Sequence, residues 1–575
     1  MVSVKEMQGI EAAADSNGIS YDMMFERVSI AVAGHILRVI EDVEEPRVAI
    51  LVGSGNNGGD GLVTAVRLAE HSHVQVGVYL VKAPSEGDEK LQAVRDAGIF
   101  VAEAENDQQY RVLRNMVASA TVVVDAIFGI GVRLPLEGEI TKILRNIHQA
   151  LDAATLPPPE GTLLNPTHPT PQRPTRRVIA LDCPGGVDCD TGEVDKMTIP
   201  ADETITFIAV KQGMLAAPAA EYVGDLLIAD LGIPTDLDEL KAISTTYITD
   251  VREMLPQRPD VSHKGTFGKA MVVAGSVNYT GAAGLAAMSA YRAGAGLVTV
   301  AAPMPVVAAL ASSMLEPTWV LVPHDMGVIS EKAADVISEE MDVYSAMLIG
   351  PGIGTEDTTK DMLLKLFKER EPDKAPPVRS IGFAGVQQVE KKKKDTDEAH
   401  DASLPPLVLD ADALNLMATI ENWWTYLPAN TILTPHPGEM ARLCDIEREE
   451  IAANRISLAQ EKAAQWNCIV LLKGAHTVIA APNGQTAILP FKSSALATAG
   501  SGDVLAGIIV SLLAQGAEPF AAAVAGGYLH GTAGTLAKEN AGTARAVVAG
   551  DMITLLGHAI PPCVSQWLRQ LRPKE

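Results

Sequence analysis

From about residue 46 to 234, short apolar runs alternate with stretches of helical spacing: RVAILV (47–52), VQVGVYLV (74–81), TVVVDAIFG (121–129), RRVIALD (176–182) and ETITFIA (203–209), each ending near Gly, Asp or Pro. This rhythm predicts a mostly parallel sheet covered by helices on both faces. After LGIPTD the pattern loosens, and a boundary is expected within 235–250. A second α/β run follows: KAMVVAGS, LVTVAAP, AMLIGPG, PLVLDADAL, NTILTPHPGE, CIVLLKGAHTVIAAP and QTAILP. Two stretches break the pattern. The proline-rich 153–176 reads as an inserted surface loop, and 369–404, with its EKKKKDTDEAHD charge run, reads as a solvated insertion.

At 575 residues the chain is too long for one ordinary core, and two large α/β domains fit it. Hydrophobic content of 47% with 20% charge is globular, and a net charge of -25 argues against nucleic acid as a partner. No apolar stretch suits a bilayer span, and the acidic start MVSVKEMQGIEAAADSNG does not read as a signal peptide, so a cytoplasmic protein is expected. The five cysteines, Cys183, Cys189, Cys444, Cys468 and Cys563, lack paired spacing and read as reduced thiols.

The first chemistry lies in Gly53-Ser54-Gly55-Asn56-Asn57-Gly58-Gly59-Asp60-Gly61, between an apolar run and a helical one. Gly53, Gly55 and Gly58 fit G-x-G-x-x-G, a turn whose bare amides hold a phosphate at a helix start. The fingerprint's acidic residue, which closes the next strand and grips a ribose, is replaced by Lys82, which disfavours an ordinary NAD dehydrogenase. Asn56, Asn57 and Asp60 add polar side chains among the glycines. Further strand ends carry Asp125 before Gly129 and Gly131, Asp182 before Cys183-Pro184, and Lys211. Any one of these has a turn-forming or capping reading; together they make a polar ring at one sheet edge.

NNGGDG, DAIFGIG, LDCPGGVDCDTG and TITFIAVKQGM resemble the NAD(P)H-hydrate epimerase domain over nearly all of 1–234. The resemblance implies substrate contact by Asn56, Asn57, Gly58, Gly59 and Asp60, by the loop Gly129, Ile130, Gly131, Val132, Arg133, Leu134 and Pro135, and by Asp182. It implies a potassium ion near Asn57 and Asp125, with the Gly185 carbonyl available to it, and Asp125 is the acid/base candidate. The family usually has Pro-Ser-Gly where this chain has Pro184-Gly185-Gly186, Ser-Arg-Pro where it has Arg133-Leu134-Pro135, and a motif ending in Leu-Met-Glu where it has Met23-Met24-Phe25-Glu26.

The sharpest motif is Ala497-Thr498-Ala499-Gly500-Ser501-Gly502-Asp503, ahead of an apolar helix. Small residues free the amides of a helix start to hold a phosphoryl group, and Asp503 can take the proton of an attacking hydroxyl; the plain alternative is an N-cap. With VLDADALNL, LTPHPGEMARL, IGPGIGT and the Lys473-Gly474-Ala475-His476-Thr477 turn, residues 250–560 resemble the ribokinase-like superfamily, and within it the NAD(P)H-hydrate dehydratases.

That resemblance implies ADP or AMP binding by Lys473, Gly474, Ala475, His476 and Thr477 with Gly500 and Gly502, hydrate binding by Ala282, Gly354, His436 and Asp503, and catalysis by Asp503 with Mg2+. The fold implied is α/β in two domains, a Rossmann-like three-layer αβα domain (1–240) and a ribokinase-like αβα domain (241–575). The function implied is repair of the hydrates NADHX and NADPHX: epimerisation, then ADP-dependent dehydration of the S form. Small-molecule substrates and a homo-oligomer are expected, without nucleic acid or membrane. A vitamin-precursor kinase would use the same loop and aspartate, and a binding module could keep the first fold; both readings stay open at this point.

Overall fold

The computed structural model describes residues 1–71, 73–85, 87–152, 176–368 and 404–561. The proline-rich 153–175 and the charge run within 369–403, both expected to be insertions, lie outside the described residues, as does Cys563. The other four cysteines are free thiols. The chain forms two compact units, Met1–Ser244 and Thr245–Glu575, and both are α/β.

In the first unit the strands β1 (Arg47–Val52), β2 (Gln75–Leu80), β3 (Phe100–Glu103), β4 (Val122–Ala126), β5 (Arg177–Leu181), β6 (Glu203–Phe207) and β7 (Asp225–Ala229) form one sheet in the order β3-β2-β1-β4-β5-β6-β7. Every pairing is parallel, so each connection crosses over the sheet, by a helix at each step from β1 to β5 and by irregular chain or short 3-10 turns from β5 to β7. β4 is buried at all of its positions and β1 at all but the first, and apart from Asp125 in β4 these buried positions are apolar. Helices Tyr21–Val39 and Asn56–Ala69 join the core on one face, and Arg111–Ser119 and Glu139–Asp152 on the other. β1 pairs with β2 on one side and β4 on the other. The strand order reverses there, which opens a crevice at the carboxyl ends of β1 and β4. The edge strands β3 and β7 were not expected; both are short and only partly buried, so neither shows a buried apolar run.

In the second unit, β8 (Thr245–Tyr247), β9 (Lys269–Val273), β10 (Leu297–Ala302), β11 (Thr318–Leu321), β14 (Ala346–Ile349), β15 (Leu407–Leu409), β16 (Ile432–Leu433), β17 (Ile469–Leu472), β18 (Val478–Ala480) and β19 (Thr486–Ile488) form a second sheet, while β12 (His324–Asp325) and β13 (Val328–Ile329) make a separate hairpin. Its order is β11-β10-β9-β14-β15-β16-β17-β18-β19-β8. It is parallel from β11 to β17. The run CIVLLKGAHTVIAAP is two antiparallel strands, β17 and β18, folded about Lys473–Thr477. Helix Ser501–Ala514 is buried on nearly every side. A Cβ at Gly507 would stand 2.2 Å from the Ala286 carbonyl of helix Thr280–Arg292, so only glycine lets the two backbones pack this closely. Among the described residues no helix is long and apolar enough to cross a membrane.

Candidate active sites

A cavity of about 1010 Å³ opens at the carboxyl edge of the first sheet. The glycine turn builds one wall. Helix Asn56–Ala69 begins inside the motif, with Gly55 as its N-cap, so Asn56 to Asp60 are its first turns rather than loop. A Cβ at Gly53 would lie 1.9 Å from the Ile127 carbonyl and one at Gly58 2.0 Å from the Gly53 carbonyl; these two glycines let the strand end and the helix start fold onto each other. Asn56, Asn57 and Asp60 line the cavity, as do Gly129, Ile130, Gly131, Val132 and Asp182. Gly58, Gly59, Arg133, Leu134 and Pro135 are not part of the lining.

Asp182 follows β5 with a φ of 62° and is buried at the cavity edge. The ammonium of Lys211, only 1% exposed, pairs with Asp182 Oδ1 and donates to Thr206 Oγ1 at 3.0 Å and to the Phe207 carbonyl at 3.2 Å. The lysine following a strand in the sequence is thus a buried counter-ion to a cavity carboxylate. Two more acids complete the group. Burial pushes the Asp60 carboxyl well above its usual range, and the charges of Asp182 and Glu11 push it further. Glu11, on helix Val4–Ser16, is raised by burial and then by Asp182. The sequence offered no signal for Glu11, an isolated acid on an N-terminal helix.

Asp125, the acid/base candidate of the sequence, lies outside that lining and is 1% exposed. Its Oδ2 accepts from the Gly185 amide at 2.8 Å and its Oδ1 from the Ile127 amide at 3.1 Å. Burial raises its pKa although both amides oppose this. Asn57 donates from Nδ2 to the Phe128 carbonyl at 2.7 Å and to the Leu181 carbonyl at 3.0 Å. Its Oδ1 is left buried with no hydrogen-bond partner, an acceptor position that costs free energy unless a cation or water meets it.

In the second unit, four charged side chains converge from separate elements. Asp410 follows β15, Glu439 lies on helix Pro437–Cys444, Lys473 follows β17, and Asp503 sits in the first turn of helix Ser501–Ala514. Lys473 Nζ is 2.9 Å from Asp410 Oδ1 and 3.6 Å from Glu439 Oε2. Thr434 Oγ1 donates to Asp410 Oδ1 at 2.7 Å. A Cβ at Gly502 would lie 3.4 Å from Lys473 Nζ, which places the lysine beside the helix start. Burial works against the charge of Lys473, yet Asp410 and Glu439 hold its pKa above the ordinary value. The Asp503 carboxyl is pushed up to about 7 by burial first and the charge of Asp410 second, with Lys473 opposing. Gly500, with a φ of 85°, makes the turn into the helix without a side-chain cap. The Ser501 amide donates to the Thr498 carbonyl at 3.2 Å, which leaves the Gly502 and Asp503 amides as the helix-start donors for an anion.

Gly354 is tied to this cluster through Asp412, while Ala282 packs on the neighbouring glycine turn. The Gly354 amide donates to Asp412 Oδ2 at 3.0 Å, and the charge of Asp412 also raises Asp503. Ala282, in the first turn of helix Thr280–Arg292, stands against Gly352. His436 caps helix Pro437–Cys444: its Nδ1 accepts from the Gly438 and Glu439 amides at 2.9 and 3.2 Å. Burial and then Lys473 lower its pKa to about 4, so at neutral pH it is uncharged, with its proton on Nε2. Beyond Lys473, Gly474 and Ala475 are exposed, Thr477 Oγ1 donates to the Gly474 carbonyl at 3.0 Å, and His476 turns inward with Nδ1 buried and unpartnered. Asp410, Asp412 and Glu439 are the members of this cluster that sequence reasoning did not single out; VLDADALNL and LTPHPGE contained them. Among the described residues no group of three or more His, Cys, Asp or Glu is arranged to hold a metal ion.

Each unit thus sets buried carboxylates beside a glycine-rich helix start at the carboxyl end of a parallel sheet, the arrangement of an α/β enzyme that handles phosphorylated small molecules. Residues 21–213 match the family described as YjeF-related protein N-terminus, and residues 270–555 match NAD(P)H-hydrate dehydratase. The bifunctional NAD(P)H-hydrate repair enzyme Nnr of Moorella thermoacetica is 35% identical over 91% of each chain. That of Thermofilum pendens is 33% identical over 92% of this chain and 90% of its own. A solved structure of ADP/ATP-dependent NAD(P)H-hydrate dehydratase from Bacillus subtilis, co-crystallised with ATP/Mg2+, is 30% identical, with a TM-score of 0.43, over 56% of this chain and 95% of its own. The chain belongs to the family of bifunctional NAD(P)H-hydrate repair enzymes.

Proposed function

We propose that this chain repairs hydrated NADH and NADPH: the first unit interconverts the R and S hydrates at C6 of the nicotinamide ring, and the second dehydrates the S form at the expense of ADP. For the second unit, the supporting observation is a carboxyl with a pKa near 7 beside a glycine-bounded helix start. Asp503 as carboxylate takes the proton of the C6 hydroxyl while that oxygen attacks the β-phosphorus of ADP, and AMP leaves. The Gly502 and Asp503 amides and Lys473 offset the charge in transfer. The ring nitrogen lone pair then expels phosphate by breaking the C6–O bond, and loss of a C5 proton restores the dihydronicotinamide. Neutral His436, whose Nε2 is 3.4 Å from Glu439 Oε1, contacts the hydrate through its exposed ring edge. Magnesium, when bound with the nucleotide, neutralises phosphate charge. It takes one or two protein carboxylates and keeps several waters, and Asp410 and Glu439, already turned toward one cation in Lys473 Nζ, suit that demand.

For the first unit, the supporting observation is the Asp182–Lys211 pair facing a cavity that also holds Asp60, an acid whose carboxyl burial pushes well above its usual range. Epimerisation needs one group to take a proton and another to give one, whether the ring opens or hydroxide leaves. Asp182, paired with Lys211, takes it, and Asp60, its carboxyl raised by burial, gives one. Asp125 serves the site from below, fixing the Gly185 and Ile127 backbone. The orphaned Asn57 Oδ1 and the oxygens of Asp125 are hard donors that fit potassium, which would supply charge beneath the glycine turn. Asp182→Asn and Lys211→Met are expected to lower epimerisation about 100-fold or more with dehydration of purified S hydrate unchanged. Wild-type epimerisation in both variants would contradict this assignment.

A further inference from the structure

The first cavity reaches past the glycine turn to a second end, lined by Val81 and Lys82 after β2 and by Ala104 and Glu105 after β3. In the strand order found here, which runs 3-2-1-4-5-6 with β7 added, a dinucleotide lies across the carboxyl edge with its pyrophosphate on the turn after β1. Asp182, the base of the proposed reaction, follows β5, so the adenosine half extends the other way, toward β2 and β3. The residue closing β2 is therefore the one nearest the adenosine ribose. An acid there accepts from a free 2′-hydroxyl; a base there suits a 2′-phosphate.

Here that position is Lys82. It is exposed, and no hydrogen bond or ion pair engages its ammonium among the described residues. It is also the only basic residue in the cavity lining, where Glu11, Asp60, Glu105, Glu137, Glu139 and Asp182 are acidic. An ammonium with no partner among the described residues, set in an acidic rim, gives a local attraction for a dianionic group that the rest of the lining lacks.

We infer that Lys82 recognises the 2′-phosphate of the adenosine ribose and makes the first unit prefer NADPHX over NADHX. This inference rests on the epimerase reading of that unit. It is tested on the full chain without ADP or ATP, so that only epimerisation of the resolved hydrates is read. The wild type is expected to show kcat/KM for NADPHX above that for NADHX by roughly tenfold. Lys82→Ala should collapse that ratio toward one, mainly through KM, and Lys82→Asp should reverse it. Glu105→Gln should keep it. As a readout independent of turnover, 2′-phospho-ADP-ribose should inhibit the wild type more strongly than ADP-ribose, with the difference lost in Lys82→Ala.

Equal use of both hydrates by the wild type, or a Lys82→Ala effect equal on both, would overturn the inference while leaving the epimerase reading standing. A preference for NADHX that Glu105→Gln abolishes would overturn it in favour of Glu105 gripping a free hydroxyl. No epimerisation of either hydrate, with spontaneous exchange subtracted, would remove the epimerase reading and this inference with it.

Discussion

In the proposed dehydration the carboxyl of Asp503 is set by two opposing influences. Burial and Asp410 raise its carboxyl to about 7, and Lys473 pulls the other way. The base form is the carboxylate, so the sign is fixed: kcat/KM for dehydration should rise with pH through about 7 and level off above it. Lys473→Met removes the ammonium that opposes the rise, so the same limb should move to higher pH, with KM for ADP up roughly tenfold. Asp503→Asn should cut dehydration by about 100-fold or more and leave R-to-S exchange untouched. A flat profile from pH 5.5 to 8.5, on the order of one and a half units either side, would exclude Asp503 as the base. The motif around Asp503 was legible because glycines flank an acid ahead of an apolar helix. Two of its partners were not: Asp410 follows a strand and Glu439 lies on a helix, and no spacing along the chain brings them to Lys473, which was read only as a residue beside the nucleotide. Lys211 was visible only as a lysine after a strand, and its burial against Asp182 is a tertiary fact.

At the scale of elements, the glycine turn shows what a pattern conveys and what it omits. G-x-G-x-x-G was readable as a strand-to-helix turn, but which glycines are needed follows only from what each backbone meets. A Cβ at Gly58 would fall 2.0 Å from a carbonyl oxygen, whereas one at Gly55 meets nothing within 4 Å. Gly58→Ala should therefore destabilise the first unit by about 1–3 kcal/mol, read as an earlier transition in thermal unfolding, while Gly55→Ala folds like the wild type. Equal stability of the two variants would contradict this packing account. The buried strands β1, β4, β5 and β6 announced themselves as apolar runs bounded by turn residues. β3 and β7 did not, because an edge strand has one neighbour and less to bury, and β8 and β11 escaped for the same reason of shortness and exposure.

For the whole molecule, two reactions in one chain imply two separable sets of requirements. The buried, unpartnered Asn57 Oδ1 belongs to the first unit alone. Exchange of potassium for choline at constant ionic strength should slow epimerisation and leave ADP-dependent dehydration of the S hydrate unchanged; equal slowing of both would count against a cation site at Asn57 and Asp125. The central claim is that one chain rescues both epimers, and the most direct test is the purified protein with an R,S mixture of hydrated NADH, magnesium and ADP, followed by dihydronicotinamide absorbance against a spontaneous epimerisation control. The account predicts recovery of all the hydrate at a rate above that control. Recovery that halts at the S share, or fails altogether, would contradict it.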